Sequence, residues 1–167
     1  MLKRVSALAS AITFTGNGLN ISEAPDFTLT QYAGAEKELK KALGKIPVRM
    51  SVSLEHDRRT QLRINPTQIW VIGEPVEAEA CILTPLSSSR TRIALAGENV
   101  RTVLAKLAAI DFHPKQFKAN TFVQTAIHHT PALIHCVGEN AFQIYAMRTF
   151  ALSVWEAVTD AALEFSA

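Results

Sequence analysis

His128, His129, His135 and Cys136 stand within nine residues of one another in the stretch QTAIHHTPALIHC, residues 124–136. The chain has only five histidines and two cysteines, so the clustering asks for a chemical reading. Imidazoles so close together could hold a metal ion, and a thiol beside an imidazole is the pairing of a cysteine nucleophile with its base. A zinc site needs three or four ligands and an outer shell that orients them. Two imidazoles facing each other across a hairpin fall short, and Asp111 and His113 join them only through the fold. In a strand, successive side chains point to opposite faces. His135 and Cys136 are therefore a poor catalytic pair, and Cys136 reads as a small core residue. A hydrolase would have to bring His129 or His135 to Cys136 by some other route. The competing reading makes His128 and His129 turn residues and His135 part of a half-covered sheet face.

The second candidate is PLSSSRTR, which gathers Ser87, Ser88, Ser89, Arg90 and Arg92. Hydroxyls with guanidinium groups suit a phosphate or a carboxylate. No glycine-rich loop leads from here into a helix, so the usual frame of a nucleotide site is missing. The alternative is a solvated strand entry whose arginines pair with acids of residues 74–79. Trp70, Trp155 and Phe142 read as core or interface anchors rather than as stacking platforms for bases.

The elements that must position these groups follow from periodicity. Residues 1–25 carry little pattern and are read as irregular, with Gly16, Asn17 and Gly18 as breakers. DFTLTQYAG alternates as a strand, and AEKELKKALGK places Ala35, Leu39 and Leu43 at helical spacing before Gly44 stops it. VRMSVSLEH, TQLRI and QIWVIG read as three more strands. EPVEAEACILTPLSSS is irregular and marks the join between two halves, 26–84 and 85–167. RTRIALAG is a strand, and ENVRTVLAKLAAI is a helix with Val100, Val103, Leu104 and Leu107 on one stripe. DFHPKQFKAN is a loop. TFVQTAIH, PALIHCV and AFQIYAM are strands, and Thr149 is expected to cap a last helix with Ala151, Val154, Trp155, Val158, Ala162 and Phe165 on its apolar face. RINPTQIWVIG and CVGENAFQIYAM look alike: a polar turn, an aromatic, then alternating aliphatics. The expectation is an α+β fold, one compact domain of two βαββ-type halves that form an antiparallel-sheet and helix sandwich.

Composition narrows the function classes. With 48% hydrophobic and 19% charged residues, either the core is slightly oversized or part of the exterior is covered by a partner. The net charge of +2 is spread without a basic stripe, so nucleic acid is not an expected partner. Cys81 and Cys136 form no CxxC pair, which argues against a structural zinc site and for a reducing compartment. Lys3 and Arg4 precede a run too poor in leucine for a secretory signal, and no stretch approaches the ~20 apolar residues of a membrane span. A soluble, cytoplasmic protein is expected.

The run PLSSSRTRIALAGENVRTVLAKLAAIDFHPKQF, followed by QTAIHHTPALIHCVGENAFQIYAMRTFALSVWEAVTDAA, resembles the gamma subunits of heterotetrameric sarcosine oxidases. The resemblance rests on the strand ending in Gly97, on Leu104, Lys106, Asp111, His113 and Pro114, on Gln124 and Thr125, and on the Arg148, Phe150 and Trp155 pattern. PDFTLTQYAG and NPTQIWVIGE fit more loosely, and the first half is thin for that family. The resemblance implies a fold like the folate-binding lobe of aminomethyltransferases. It implies partners, the alpha, beta and delta subunits. Their enzyme oxidises sarcosine to glycine and passes the one-carbon unit to tetrahydrofolate. FAD, FMN and NAD are then expected in alpha and beta and zinc in delta, with no cofactor, metal or catalytic residue in this chain. Isolated, the chain could self-associate through a face meant for another subunit. The alternatives are a gamma subunit of a related N-methyl amino acid dehydrogenase, or a free-standing folate or anion-binding module. In that module Ser88, Arg90, Arg92 and His113 would be the anion or partner contacts.

Overall fold

The computed structural model describes residues 5–24 and 26–166. Lys3, Arg4 and Pro25 lie outside the described residues.

Two compact units share the chain. The first comprises the N-terminal stretch up to Ala24, Ser89–Ala119 and the chain from Val123 onward; the second comprises Asp26–Ser88 and Asn120–Phe122. The elements of the second unit are β3 (Leu29–Ala33), α1 (Glu36–Leu43), β4 (Ser53–His56), β5 (Arg59–Asn65), β6 (Gln68–Ile72) and β7 (Ile82–Pro85). They form an antiparallel sheet in the order β4-β5-β6-β3-β7. The first unit holds β1 (Phe14–Gly16), β2 (Leu19–Glu23), β8 (Arg90–Ala96), α2 (Val100–Leu107), β9 (Thr121–Ile127, whose first two residues group with the second unit), β10 (Thr130–Gly138), β11 (Ala141–Met147) and α3 (Ala151–Ala162). Its sheet runs β1-β2-β8-β11-β10-β9.

The class is α+β with antiparallel sheets, as the alternation and helical stripes indicated. Each unit repeats one plan: a strand, a helix, then a three-strand meander whose last strand returns beside the first. The core order β4-β5-β6-β3 therefore matches β9-β10-β11-β8. That is one strand more per unit than the βαββ label, and it agrees with the strands read one by one, three after each helix.

Local chemistry explains the elements. In α1, Glu38 accepts the Ala35 N–H at 2.7 Å, acids open the first turn and lysines close the last, in line with the helix dipole. Leu39 and Leu43 then pack with Tyr32, Ile46, Ile69 and Val71 over one sheet face. In the first unit, Ile93 and Leu95 of β8 and Phe142 and Ile144 of β11 point to the side covered by α2 and α3. Val103, Leu104, Val154 and Trp155 meet them there. Trp70, Trp155 and Phe142 are all buried.

Three expectations need correction. The stretch read as irregular before Pro25 contains the β1–β2 hairpin, and β2 pairs with β8. β7 lies within the stretch read as irregular between the halves. Thr149 does not cap the last helix. It lies in a 3-10 turn, Arg148–Phe150, and the N-cap of α3 is Phe150, with no side-chain bond.

Candidate functional site

His128 and His129 are the two central residues of the tight turn between β9 and β10, at φ +47° and +68°. A two-residue hairpin turn of this hand favours glycine and asparagine, and histidine is among the few other side chains that tolerate the left-handed region. Both rings are exposed, with centroids 5.7 Å apart. His128 lines an open groove of about 810 Å³ with Lys106, Leu107, Glu156, Asp160 and Glu164. The three acids form one stripe on the last helical segment, and Lys106 pairs with Glu164 while donating to the Ala161 carbonyl at 3.3 Å.

His135 and Cys136 sit in the middle of β10 and face opposite ways. His135 is opposite Gln143 of β11, and Cys136 is opposite Phe142. His135 shares its face with Gln143, Tyr145 and Arg92 through the register of β10, β11 and β8. Tyr145 donates to Gln143 Oε1 at 2.6 Å. His135 is 2% exposed, and burial pulls its imidazole down to a pKa of about 4, so it stays neutral at ordinary pH. Cys136 belongs to the helix-covered core. Its thiol donates to the Gly138 carbonyl at 3.1 Å, and burial raises its pKa. A nucleophilic cysteine needs the thiolate and a base on its own face, and this one has the reverse. Among the described residues, no three His, Cys, Asp or Glu side chains gather to hold a metal ion.

The other expected contacts lie just before β8, on β8 and in the loop after α2. Ser88 is exposed at the end of the second unit. Ser87 instead secures its own unit, accepting the Leu29 N–H at 2.9 Å. Arg90 and Arg92 lie on the same face of β8. Arg90 donates to the Ser89 carbonyl at 3.2 Å and Arg92 to the Ala24 carbonyl at 3.2 Å. His113 is exposed and holds its own turn: its N–H donates to Asp111 at 2.9 Å, and its Nδ1 accepts the Lys115 N–H at 3.2 Å. Arg90, Arg92 and His113 thus each make a bond to a nearby backbone group.

Sequence reasoning missed one heavily bonded side chain of the first unit. Arg101 of α2 donates to the carbonyls of Phe112 at 2.6 Å, Phe117 at 3.0 Å and Glu139 at 2.6 Å, and its guanidinium lies 4.9 Å over the Phe142 ring. It ties the loop after α2 to the β10–β11 turn around the Phe112, Phe117 and Phe142 cluster. The only signal was a cation one residue from a buried helical stripe.

Comparisons with known proteins fit this geometry. Residues 70–164 match the model of the sarcosine oxidase, gamma subunit family. The curated sarcosine oxidase subunit gamma of Corynebacterium sp. (strain U-96) is 28% identical over 103 residues, which cover 62% of this chain and 50% of that protein. The aligned stretch thus spans half the length of that relative. A chain in the structure of heterotetrameric sarcosine oxidase from Corynebacterium sp. U-96, in complex with pyrrole 2-carboxylate, superposes with a TM-score of 0.86 at 21% identity. The superposition covers 98% of this chain and 97% of that one. The glycine cleavage system aminomethyltransferase T of Bartonella henselae gives a TM-score of 0.63 at 15% identity, over 86% of this chain and 46% of the other. At these identities the two structures show likeness of fold.

Proposed function

Because this chain belongs to the sarcosine oxidase gamma subunit family, we propose that it is the gamma chain of a heterotetrameric sarcosine oxidase. It serves the assembly and stability of that complex and performs no reaction step of its own. The observation that carries this reading is the superposition over 98% of the chain on a chain of such an enzyme. The chemistry of the residues agrees: His135 is buried and neutral, Cys136 is a core thiol, and Arg101 is spent on backbone carbonyls.

In this reading the alpha, beta and delta chains are its partners, and they carry FAD, FMN, NAD, tetrahydrofolate and zinc. The whole enzyme demethylates sarcosine oxidatively to glycine and hands the one-carbon unit to tetrahydrofolate. In this reading the complex is cytoplasmic; among the described residues no helix is long and apolar enough to cross a membrane. Ser88, Arg90, Arg92 and His113 act in this view through backbone and partner contacts rather than on a bound anion.

Affinity capture of the chain from its native cells tests the reading, with subunit masses and the visible spectrum of what is retained. A yellow complex that contains larger flavin-binding chains and oxidises sarcosine is the expected result. A colourless, solitary 18.3 kDa protein would overturn it.

A further inference from the structure

Residues 48–52 of the second unit, Val-Arg-Met-Ser-Val, form a continuous exposed run. Val48 is 90% exposed, Met50 54% and Val52 37%. Single apolar side chains at a surface are ordinary, but three in five residues on one turn are not.

The turn is held firmly at both ends. On the N-terminal side Ile46 and Pro47 are buried, and Arg63 donates to the Pro47 carbonyl at 3.1 Å while pairing with Glu36 at 2.9 Å. On the C-terminal side the Ser51 carbonyl accepts the Phe122 N–H at 3.0 Å, Val52 bridges to Thr121, and the Ser53 N–H donates to Asn120 at 2.8 Å. Ser51 sits at φ +65°, which turns the chain sharply between these anchors. Val48 and Met50 are therefore presented on a preorganised support, so docking them costs little ordering entropy.

The charges around the turn define its counterpart. Lys45 and Arg49 are exposed beside it, and residues 44–54 contain no acid. Of the acids on α1, Glu36 is committed to Lys40 and Arg63, and Glu38 accepts the Ala35 N–H. We infer that the turn at residues 48–52 is a docking knob whose occupant is an apolar hollow rimmed with carboxylates on an unlike partner subunit. A second copy of this chain is a poor occupant, because a two-fold pairing through the knob would bring Arg49 towards its own equivalent. An anionic membrane is also a poor fit: two cations and no aromatic fall well short of the basic clusters and aromatic anchors that bind lipid.

The inference rests on the subunit reading, and one set of experiments separates the two. The full chain is co-expressed with its partner subunits, as wild type, V48D/M50D, V48S/M50Q and R49E, and assembly is measured by size exclusion and by titration of the purified chain. Thermal melts monitor folding, and because the altered side chains are exposed, the melts should be unchanged. V48D/M50D should weaken assembly about 100-fold, the scale of two hot-spot residues, and R49E about 10-fold with a reduced salt dependence. If V48D/M50D does not fold, V48S/M50Q reads the same contact and should still weaken assembly at least ~10-fold. Wild-type assembly with unchanged affinity in the folded variants overturns the knob and leaves the subunit reading intact. A wild-type chain that joins no unlike subunit overturns both. Binding to phosphatidylserine vesicles that is lost in V48D/M50D while assembly is unaffected overturns the knob in favour of a membrane.

Discussion

His135 should make the stability of this chain fall steeply in mild acid. It is 2% exposed in β10, and burial lowers its pKa from 6.5 to about 4. The folded chain therefore holds a neutral imidazole where the unfolded chain binds a proton. Since the unfolded state takes up more protons between pH 6.5 and pH 4, stability is complete above that window and declines as pH falls through it. Between pH 7.5 and pH 5 the loss is about 2 kcal/mol, and it approaches about 3 kcal/mol once the folded imidazole also titrates. For a chain of this size about 2 kcal/mol lowers Tm by roughly 4–8 °C. The assay is a series of thermal melts of the wild type and of His135→Leu at half-unit steps over that range. Leucine is of similar size and does not titrate, so losing the polar contacts of the imidazole shifts the baseline and leaves the slope as the informative quantity. The wild type should lose about 2 kcal/mol more than the variant. Parallel loss of Tm in the two proteins would refute the assignment of the slope to this imidazole.

Gly97→Ala should cost more than about 2 kcal/mol, read as a fall in the denaturation midpoint: Gly97 has φ +125°, and a Cβ there would lie 2.2 Å from the Gly18 carbonyl oxygen. Arg101→Met keeps an apolar stem but removes the guanidinium over Phe142 and the donors to three carbonyls, and should lower stability by about 2–4 kcal/mol in a urea titration. In the native chain Ellman's reagent should reach only half-buried Cys81, with Cys136 reacting after denaturation; two fast thiols would show that β10 opens.

The elements nearest the histidines were legible because their patterns are long. β9, β10, β11 and α2 each carry seven to nine residues of clear period, and strand alternation alone placed His135 and Cys136 on opposite faces. How deeply His135 is buried was not legible from alternation. The run Ala132–Cys136 is buried on both faces, and a period-two argument says nothing about a sheet covered from both sides. β1 and β2 escaped notice because they are three and five residues long around a Gly-Asn-Gly turn, and β2 earns its place by pairing with β8 about 70 residues later. The contacts of Arg101 are equally nonlocal. They join α2 to two loops that only the fold brings together.

The shared plan of the two units also explains why the exposed turn arises where it does. In the first unit α2 and α3 together cover the sheet, and the core they enclose is extensive. In the second, a single eight-residue helix with five charged residues offers mainly Leu39 and Leu43 to the sheet. Gln61 and Arg63 of β5 lie on that helix-bearing face, in register with Val71 and Ile69, and both are buried. A buried guanidinium must find acceptors, and the Pro47 carbonyl, the Pro66 carbonyl and the Glu36 carboxylate supply them. Drawing Pro47 inward, with Ile46 packed beside it, leaves the chain only a few residues in which to reach the pairing with Asn120 and Phe122. Val48, Arg49 and Met50 fill that gap and are directed outward. The same short helix that makes the second unit lean thus produces its most exposed apolar turn. Arg63→Met should therefore loosen the turn and weaken partner binding, while Arg49→Glu, which leaves the anchors in place, should alter binding alone.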